Sequence, residues 1–304
     1  MDIIAVVNQI LMMLIIMGIG LLLRKIGIMG PDVIRGISGI VLKAAMPALL
    51  LMMVQKDVGA DYRGDFLRIV IVSFIWFSAE LLAVYHAVKK KLPAEQAPVF
   101  ASLSAMPNVG YMGLPIVQAV YGNVGALYLG AVVAAFNVCA YLFLEMLMTG
   151  KPPKPSFFFK NIGLVLAVLG IVMLMLNIKL PMPFSAVVTQ LGALTTPLSM
   201  LVAGARLLDF KPSALRDNKL WVSLAVRLLI SPVVAFAAFR LLGFEGIALG
   251  VLTIACAMPG AVVSLMYAER EKKDALFAAT GISVGTLLCL VTIPLVLLLT
   301  GLGG

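Results

Sequence analysis

Two short apolar segments carry the residues best suited to chemistry: MPNVGYMG at residues 106–113 and MPGAVVS at residues 258–264. A proline removes a backbone donor and disrupts the helical turn before it, and Gly110 and Gly260 allow conformations that other residues resist. We therefore expect two half-helices in each stretch, the second presenting its free N–H groups and positive dipole end to a ligand. Two such ends meeting would suit an anion such as a carboxylate. Ordinary proline kinks are the alternative, and the repetition of the motif favours a site.

Asn108 directly follows the first proline, and its amide can donate a hydrogen bond to a carboxylate. Alternatively, it satisfies backbone groups freed by Pro107. The corresponding residue of the second segment is Gly260, so that segment would offer only its backbone. The predicted substrate-binding residues are Lys43, Pro107, Asn108, Val109, Gly110, Asn137, Pro259, Gly260 and Ala261.

Lys43 lies halfway along a hydrophobic stretch, where a charge indicates function by default. Three roles compete for it: pairing with a substrate carboxylate, pairing with a buried carboxylate such as Glu80, or losing its proton and helping ion coupling. Asn137 is either a polar wall of the same cavity or part of a helix–helix hydrogen bond. Glu80 and Arg227 are interpreted first as a structural ion pair toward the cytoplasmic side, and second as a gate or proton relay.

The sequence contains no nucleophile–base set, metal-ligand cluster or cofactor loop, so we predict neither an enzyme nor a bound metal or cofactor. The three cysteines, Cys139, Cys256 and Cys289, fall singly in apolar stretches and are expected to be buried thiols. A coupling ion, H⁺ or Na⁺, remains open.

The amino-acid composition indicates the environment that surrounds these segments. Of 304 residues, 62% are hydrophobic and 12% charged, and the mean hydropathy is +1.10. Soluble domains are about one quarter charged, so this chain is predicted to lie in a lipid bilayer. The net charge of +9 sits in short clusters between apolar stretches. These clusters indicate topology rather than nucleic-acid binding.

Ten stretches are long and apolar enough to be membrane helices. They are Ile3–Leu23, Val33–Val54, Phe66–Val88, Gln96–Tyr121, Val124–Thr149, Ile162–Ile178, Phe184–Leu208, Leu220–Leu242, Gly246–Ala268 and Ala275–Leu299. With both termini outside, 16 Lys and Arg residues fall in inside loops and 5 in outside loops. The positive-inside rule therefore predicts external termini in the plasma (inner) membrane.

Matching motifs divide the chain into two halves. Pro47 and Pro197 are 150 residues apart, and Pro107 and Pro259 are 152 residues apart. Residues 1–149 and 162–304 are thus predicted repeats of five helices, joined by a cytoplasmic linker at 150–161. Five is odd, so the second repeat enters the membrane from the opposite side. Inverted repeats of this kind are typical of secondary transporters.

The chain resembles the auxin efflux carrier family, which includes plant PIN-type carriers and bacterial malate or malonate permeases. The resemblance covers the whole chain and rests on GPDVIRGISGIVLKAAMPALLLM, MPNVGYMGLPIVQAVYG and TTPLSMLVAGARL. It implies an all-α membrane fold like that of NhaA and the bile-acid symporters, with helices 4 and 9 broken at a crossover. It also implies a scaffold domain, a transport domain with elevator-like motion, and organic-anion binding at Pro107, Asn108 and Pro259. The chain departs from plant members at Gly260, where they have a second asparagine, and in its short central loop.

The resulting prediction is a secondary transporter of a small mono- or dicarboxylate, or an auxin-like acid. Its partners would be the anion and the lipid bilayer, and a homodimer remains open. A cation/proton antiporter of related fold is one alternative, although neither crossover proline has an acidic neighbour. A membrane receptor or sensor that binds without transport is another.

Overall fold

The chain folds into an all-helical bundle whose outer surface is rich in apolar side chains. The computed structural model describes residues 3–55, 62–152, 162–209 and 215–302, which contain one isolated β-bridge and no strand. Seven helical stretches in these residues are long and apolar enough to cross a bilayer. They are Val6–Lys25, Pro31–Met53, Gly64–Val88, Val109–Thr149, Phe184–Arg206, Asn218–Leu241 and Ala275–Leu299. The molecule is therefore a multi-pass membrane protein.

The α-helices of the first half are α1 (Ile3–Lys25), α2 (Pro31–Ile40), α3 (Met46–Val54), α4 (Tyr62–Val88), α5 (Ala97–Ala105), α6 (Leu114–Cys139) and α7 (Glu145–Thr149). Those of the second half are α8 (Ile162–Met175), α9 (Phe184–Ala193), α10 (Thr195–Arg206), α11 (Asn218–Ala225), α12 (Ser231–Leu241), α13 (Gly246–Ala257), α14 (Val262–Arg270) and α15 (Ala275–Leu299). Some of these helices are continuous through single π-helical turns at Val41–Ala45, Ala140–Leu144 and Val226–Ile230, and a fourth π turn at Val109–Gly113 opens α6.

Each of the ten predicted stretches contains helix, yet seven qualify as spans by length and composition. Two predicted stretches meet in Val109–Thr149, and Gly122, which has the non-helical angles φ 60° and ψ −144°, separates two helices there, at the predicted boundary between Tyr121 and Val124. The pieces α5, α13 and α14 are each too short to cross a bilayer alone. The transmembrane arrangement of the remaining stretches stays a prediction. The predicted linker lies outside the described residues from position 153 onward.

Close backbone contact joins α1 to α10. A Cβ on Gly20 would lie 2.1 Å from the carbonyl oxygen of Leu201, and one on Gly204 would lie 1.9 Å from that of Met17. Small residues of this kind let membrane helices approach closely, where dispersion stabilises them. The contact predicts that α1 and α10 move as one body.

The more extensive contacts divide the helices into two groups. One contains α1 and α2 against α10, with α3 against α8 and α9. In the other, α4 packs against α5 and α6, α13 packs against α6 and α12, α11 packs against α5, and α14 packs against α5 and α15. The two groups touch each other where α6 packs against α1, α3 and α8. The short helices α5 and α13 are buried over almost their whole length, which places their ends in the interior of the second group.

Candidate functional site

The two Met-Pro segments cross each other in the protein interior. Pro107 and Gly260 form an isolated antiparallel bridge. The Asn108 N–H donates to the Pro259 carbonyl at 2.8 Å, and the Ala261 N–H donates to the Met106 carbonyl at 2.9 Å. Both helices end two residues before the proline, because the proline favours extended backbone at the residue before it, here Met106 and Met258. The predicted breaks are therefore present, and they contact each other.

The register of this bridge explains why proline and glycine occupy it. Pro107 and Gly260 form a non-hydrogen-bonded pair, in which neither residue needs to donate an N–H and the backbones approach closely. The missing N–H of Pro107 therefore costs no hydrogen bond at this position. A Cβ on Gly260 would lie 2.9 Å from Leu103 Cδ2, so a side chain there would have to displace the Leu103 side chain.

Asn108 has its backbone fixed by the crossing, and its side chain is 4% exposed. Within the described residues its side-chain amide takes part in no hydrogen bond, while its carbonyl accepts from Met112 N–H at 3.2 Å. The alternative of an amide that satisfies freed backbone is not what the structure shows. A nearly buried amide without a partner is available for a ligand.

Two helical segments begin at the crossing. The π turn Val109–Gly113 leads into α6, and Ala261 precedes α14. The first N–H groups of a helix lack partners in their own helix and carry partial positive charge. Residues 106–113 and 258–264 contain no charged side chain. The positive ends are therefore not neutralised by a carboxylate of these segments.

Arg227 and Glu80 lie beside the ends of the two helices that stop at the crossing, and their position relative to the membrane stays a prediction. Arg227 is fully buried, and its Nη1 atom lies 3.9 Å from Glu80 Oε2. Its guanidinium also donates to the carbonyls of Ser104 (3.3 Å) and Cys256, and to Ser231 Oγ (2.8 Å). The predicted pair is present, but backbone carbonyls are the closer partners of the arginine.

The other two predicted polar residues take separate positions. Lys43 lies in the π turn Val41–Ala45 with its side chain exposed, and it makes no hydrogen bond or ion pair within the described chain. Met46, one turn further, reaches the crossing, since its Cε atom lies 3.0 Å from the Cβ position of Gly110. The Asn137 amide donates to the Val133 carbonyl of its own helix at 2.8 Å, so the predicted helix–helix hydrogen bond is replaced by one within the helix, and a role as cavity wall stays a prediction.

Sequence reasoning missed several contacts between α10 and the crossing helices. The Thr196 hydroxyl donates to the Tyr111 carbonyl at 3.0 Å, next to a narrow cavity lined by Ser38, Val41, Tyr111, Ser199, Val202, Val262 and Met266. At the far end of the same helices, Arg206 pairs with Glu269 at 2.7 Å. Thr196 and Tyr111 are 85 positions apart, and no local pattern in the sequence links them.

A second ion pair lies between α7 and α14. Glu145 is 9% exposed and pairs with Arg270 at 2.7 Å. Arg270 also lies over the ring of Tyr267. The Glu145 carboxylate is therefore part of the packing between α7 and α14.

The chain matches known transporters along its whole length. The family described as "Membrane transport protein" matches residues 5–157 and 159–297. An uncharacterized transporter of Methanocaldococcus jannaschii is 26% identical over 304 residues, covering 95% of this chain and 96% of that protein. An uncharacterized transporter of Methanothermobacter thermautotrophicus is 25% identical over 301 residues, with the same coverage. The family match confirms the resemblance to auxin efflux carriers, and the chain belongs to this family of membrane transport proteins.

Proposed function

We propose that the protein is a secondary transporter of a small organic anion, a mono- or dicarboxylate or an auxin-like acid, bound where the two broken helices cross. The observation that carries the proposal is the pairing of two helix starts with the unpartnered amide of Asn108. Helix N-termini and an amide donor together match the acceptor oxygens of a carboxylate. The absence of acidic side chains in residues 106–113 and 258–264 disfavours a cation as the cargo.

The arrangement also supports the proposed inverted repeat of five plus five helices. The two crossing segments are antiparallel and exchange equivalent backbone bonds around the Pro107–Gly260 pair. Local two-fold symmetry of this kind is expected when two repeats insert in opposite directions. We propose ten membrane helices, both termini outside the inner membrane, and 150–161 as the cytoplasmic linker.

Alternating access would come from motion of one helix group past the other. The crossing is buried, so a substrate needs a path to it from each side. The narrow cavity beside Tyr111 lies between α2, α10 and α14, where the two groups meet. Sliding of the group containing α4–α6 and α11–α15 along α1 and α10 would carry the site across the membrane. This is the elevator-type mechanism.

Lys43 belongs to this proposal as an attractive charge near the path. It is exposed, yet it lies near the middle of the candidate span Pro31–Met53. A lysine facing lipid at that depth would be unfavourable. Its exposed surface therefore fits a water-filled cleft, in which an ammonium group would raise the local concentration of anions.

The test combines binding and transport. Purified protein is screened by thermal shift against mono- and dicarboxylates, because a ligand that binds the native state raises its melting temperature. The best ligand is then tested for uptake into proteoliposomes. We expect a carboxylate to stabilise the protein and to be transported. Binding without uptake would favour a receptor, and stabilisation by inorganic cations alone would overturn the proposal.

A further inference from the structure

Arg227 contacts the ends of both broken helices from outside the crossing. Its π turn, Val226–Ile230, lies between α11 and α12, outside both crossing helices. From there the guanidinium reaches Ser104 in the last turn of α5 and Cys256 in the last turn of α13. One side chain therefore bonds to the carboxyl ends of both broken helices.

The crossing does not supply the donors and positive charge that these two carboxyl ends require. The last four carbonyls of a helix lack partners in their own helix, and each C-terminus carries about half a negative charge. Two C-termini together carry about one negative charge, which a single guanidinium balances. Arg227 is fully buried, so solvent does not share this role.

Glu80 is a weaker partner of Arg227. Its Oε2 atom is 3.9 Å from Nη1, beyond hydrogen-bonding distance, and it accepts no hydrogen bond within the described residues. If pairing with Glu80 were the main role of Arg227, the charged atoms would be expected at hydrogen-bonding distance. The closer contacts of Arg227 with the carbonyls of Ser104 and Cys256 therefore indicate its role.

We infer that Arg227 is the positioning residue of the anion site. It ties together the carboxyl ends of the two broken helices, fixes the register of their crossing and neutralises their negative ends. The starts of the following helical segments then act on the anion without an opposing field. The inference about the anion rests on the proposed function, whereas the tie between the helices does not.

The native cysteines allow a test of the tie without a substrate. The carbonyl oxygen of Cys256 accepts a hydrogen bond from Arg227, and the Cys256 thiol is buried, while the buried Cys289 thiol in α15 donates to the Thr286 carbonyl. The rate of N-ethylmaleimide labelling at each cysteine is measured by peptide mass spectrometry. We expect Arg227→Met to raise the labelling rate at Cys256, relative to Cys289, by about ten-fold, because two buried carbonyls lose their donor. Arg227→Lys should give a smaller rise in the labelling rate, since an ammonium retains the charge but lacks the planar, forked donors that reach both carbonyls.

A double variant separates the inference from a simple ion pair. If Arg227 only balances Glu80, then Arg227→Met combined with Glu80→Gln restores slow labelling at Cys256, and the inference is overturned. If Arg227 ties the helix ends, labelling in the double variant remains fast. Should Arg227→Met not fold, Arg227→Lys is compared with and without Glu80→Gln. Slow labelling at Cys256 in Arg227→Lys that becomes fast only in the double variant would show that the charge balance with Glu80 is what matters, and would overturn the inference; fast labelling in both variants would support it.

Binding of malonate, measured by thermal shift, tests whether Arg227 affects the affinity of the site for an anion. If malonate stabilises the wild type, we expect Arg227→Lys to need about ten-fold more of it. Unchanged malonate affinity together with fast labelling at Cys256 would overturn the link to the anion site and retain the tie. If no carboxylate stabilises the wild type, the proposed function fails while the labelling result still decides the tie.

Discussion

At the scale of single residues, the site combines one side chain with backbone groups. Asn108 has an unpartnered amide, whereas Gly260 on the opposite segment has no side chain. The two repeats therefore differ chemically at the point where they meet. Among residues 106–108 and 259–261, Asn108 of the first repeat is the one with a polar side chain.

Asn108→Ala should weaken binding of the best carboxylate found. The change removes one hydrogen bond to a charged group, worth about 1.5–3 kcal/mol, which corresponds to a roughly ten- to hundred-fold loss in affinity. Thermal-shift titration measures it, with Asn8→Ala, an exposed asparagine of α1, as the matched control. Equal affinity in the two variants would mean that the crossing has only a structural role.

Lys43→Met should weaken anion binding without affecting folding. The side chain is exposed, so screening by water limits the loss to about five-fold. The loss should shrink as salt rises, because salt screens exposed charges. Lys25→Met, at the exposed end of α1, is the control. Failure of Lys43→Met to fold, or an affinity equal to that of Lys25→Met, would show that Lys43 has no role toward the anion.

At the scale of helices, the close contact of α1 with α10 depends on two glycines. Gly20→Ala would place a Cβ against the Leu201 backbone, which cannot move as a flexible side chain can. We expect a loss of about 1–3 kcal/mol in stability and a melting temperature lower by several degrees. Gly18→Ala in the same helix meets nothing within 4 Å and should leave the melting temperature unchanged or higher. Equal melting temperatures would mean that α1 and α10 are not held together by this contact.

Local chemistry explains which helical features could be predicted from the sequence. Proline acts on its own turn, so the breaks at Pro107 and Pro259 follow from the residues themselves. The bridge between the breaks and the contacts of Arg227 depend on residues 29 to 153 positions apart, for which the sequence has no local signal. Asn137 illustrates the same limit, because its sequence context did not predict a hydrogen bond within its own helix.

At the scale of the whole molecule, the first question is orientation in the membrane. Lys151 lies at the start of the predicted cytoplasmic linker, and Arg240 lies in the last turn of α12, at an end that is predicted to face outside. In intact cells, Lys151→Cys should resist an impermeant maleimide, whereas Arg240→Cys should react readily. Both positions are exposed, and the three native cysteines are buried, so accessibility across the membrane controls the result. The opposite labelling pattern would reverse the predicted orientation.

The second question is whether the two helix groups slide past each other. Two ion pairs of equal length, 2.7 Å, allow a matched comparison. Arg206–Glu269 joins α10 to α14, across the boundary between the groups. Arg270–Glu145 joins α14 to α7, whose chain is continuous with α6 in the second group. Only the first pair should separate when that group moves.

A reversible cross-link tests this difference. With the native cysteines replaced by alanine, cysteines at positions 206 and 269 are joined by a short bifunctional methanethiosulfonate, and uptake of the best ligand into proteoliposomes is measured. We expect uptake to stop on cross-linking and to return on reduction, because the groups can no longer slide. The same link between positions 145 and 270 should leave uptake largely intact, since both residues travel together. If the 206–269 link leaves uptake unchanged, α10 and α14 do not separate during transport, and the elevator-type mechanism is wrong for this protein.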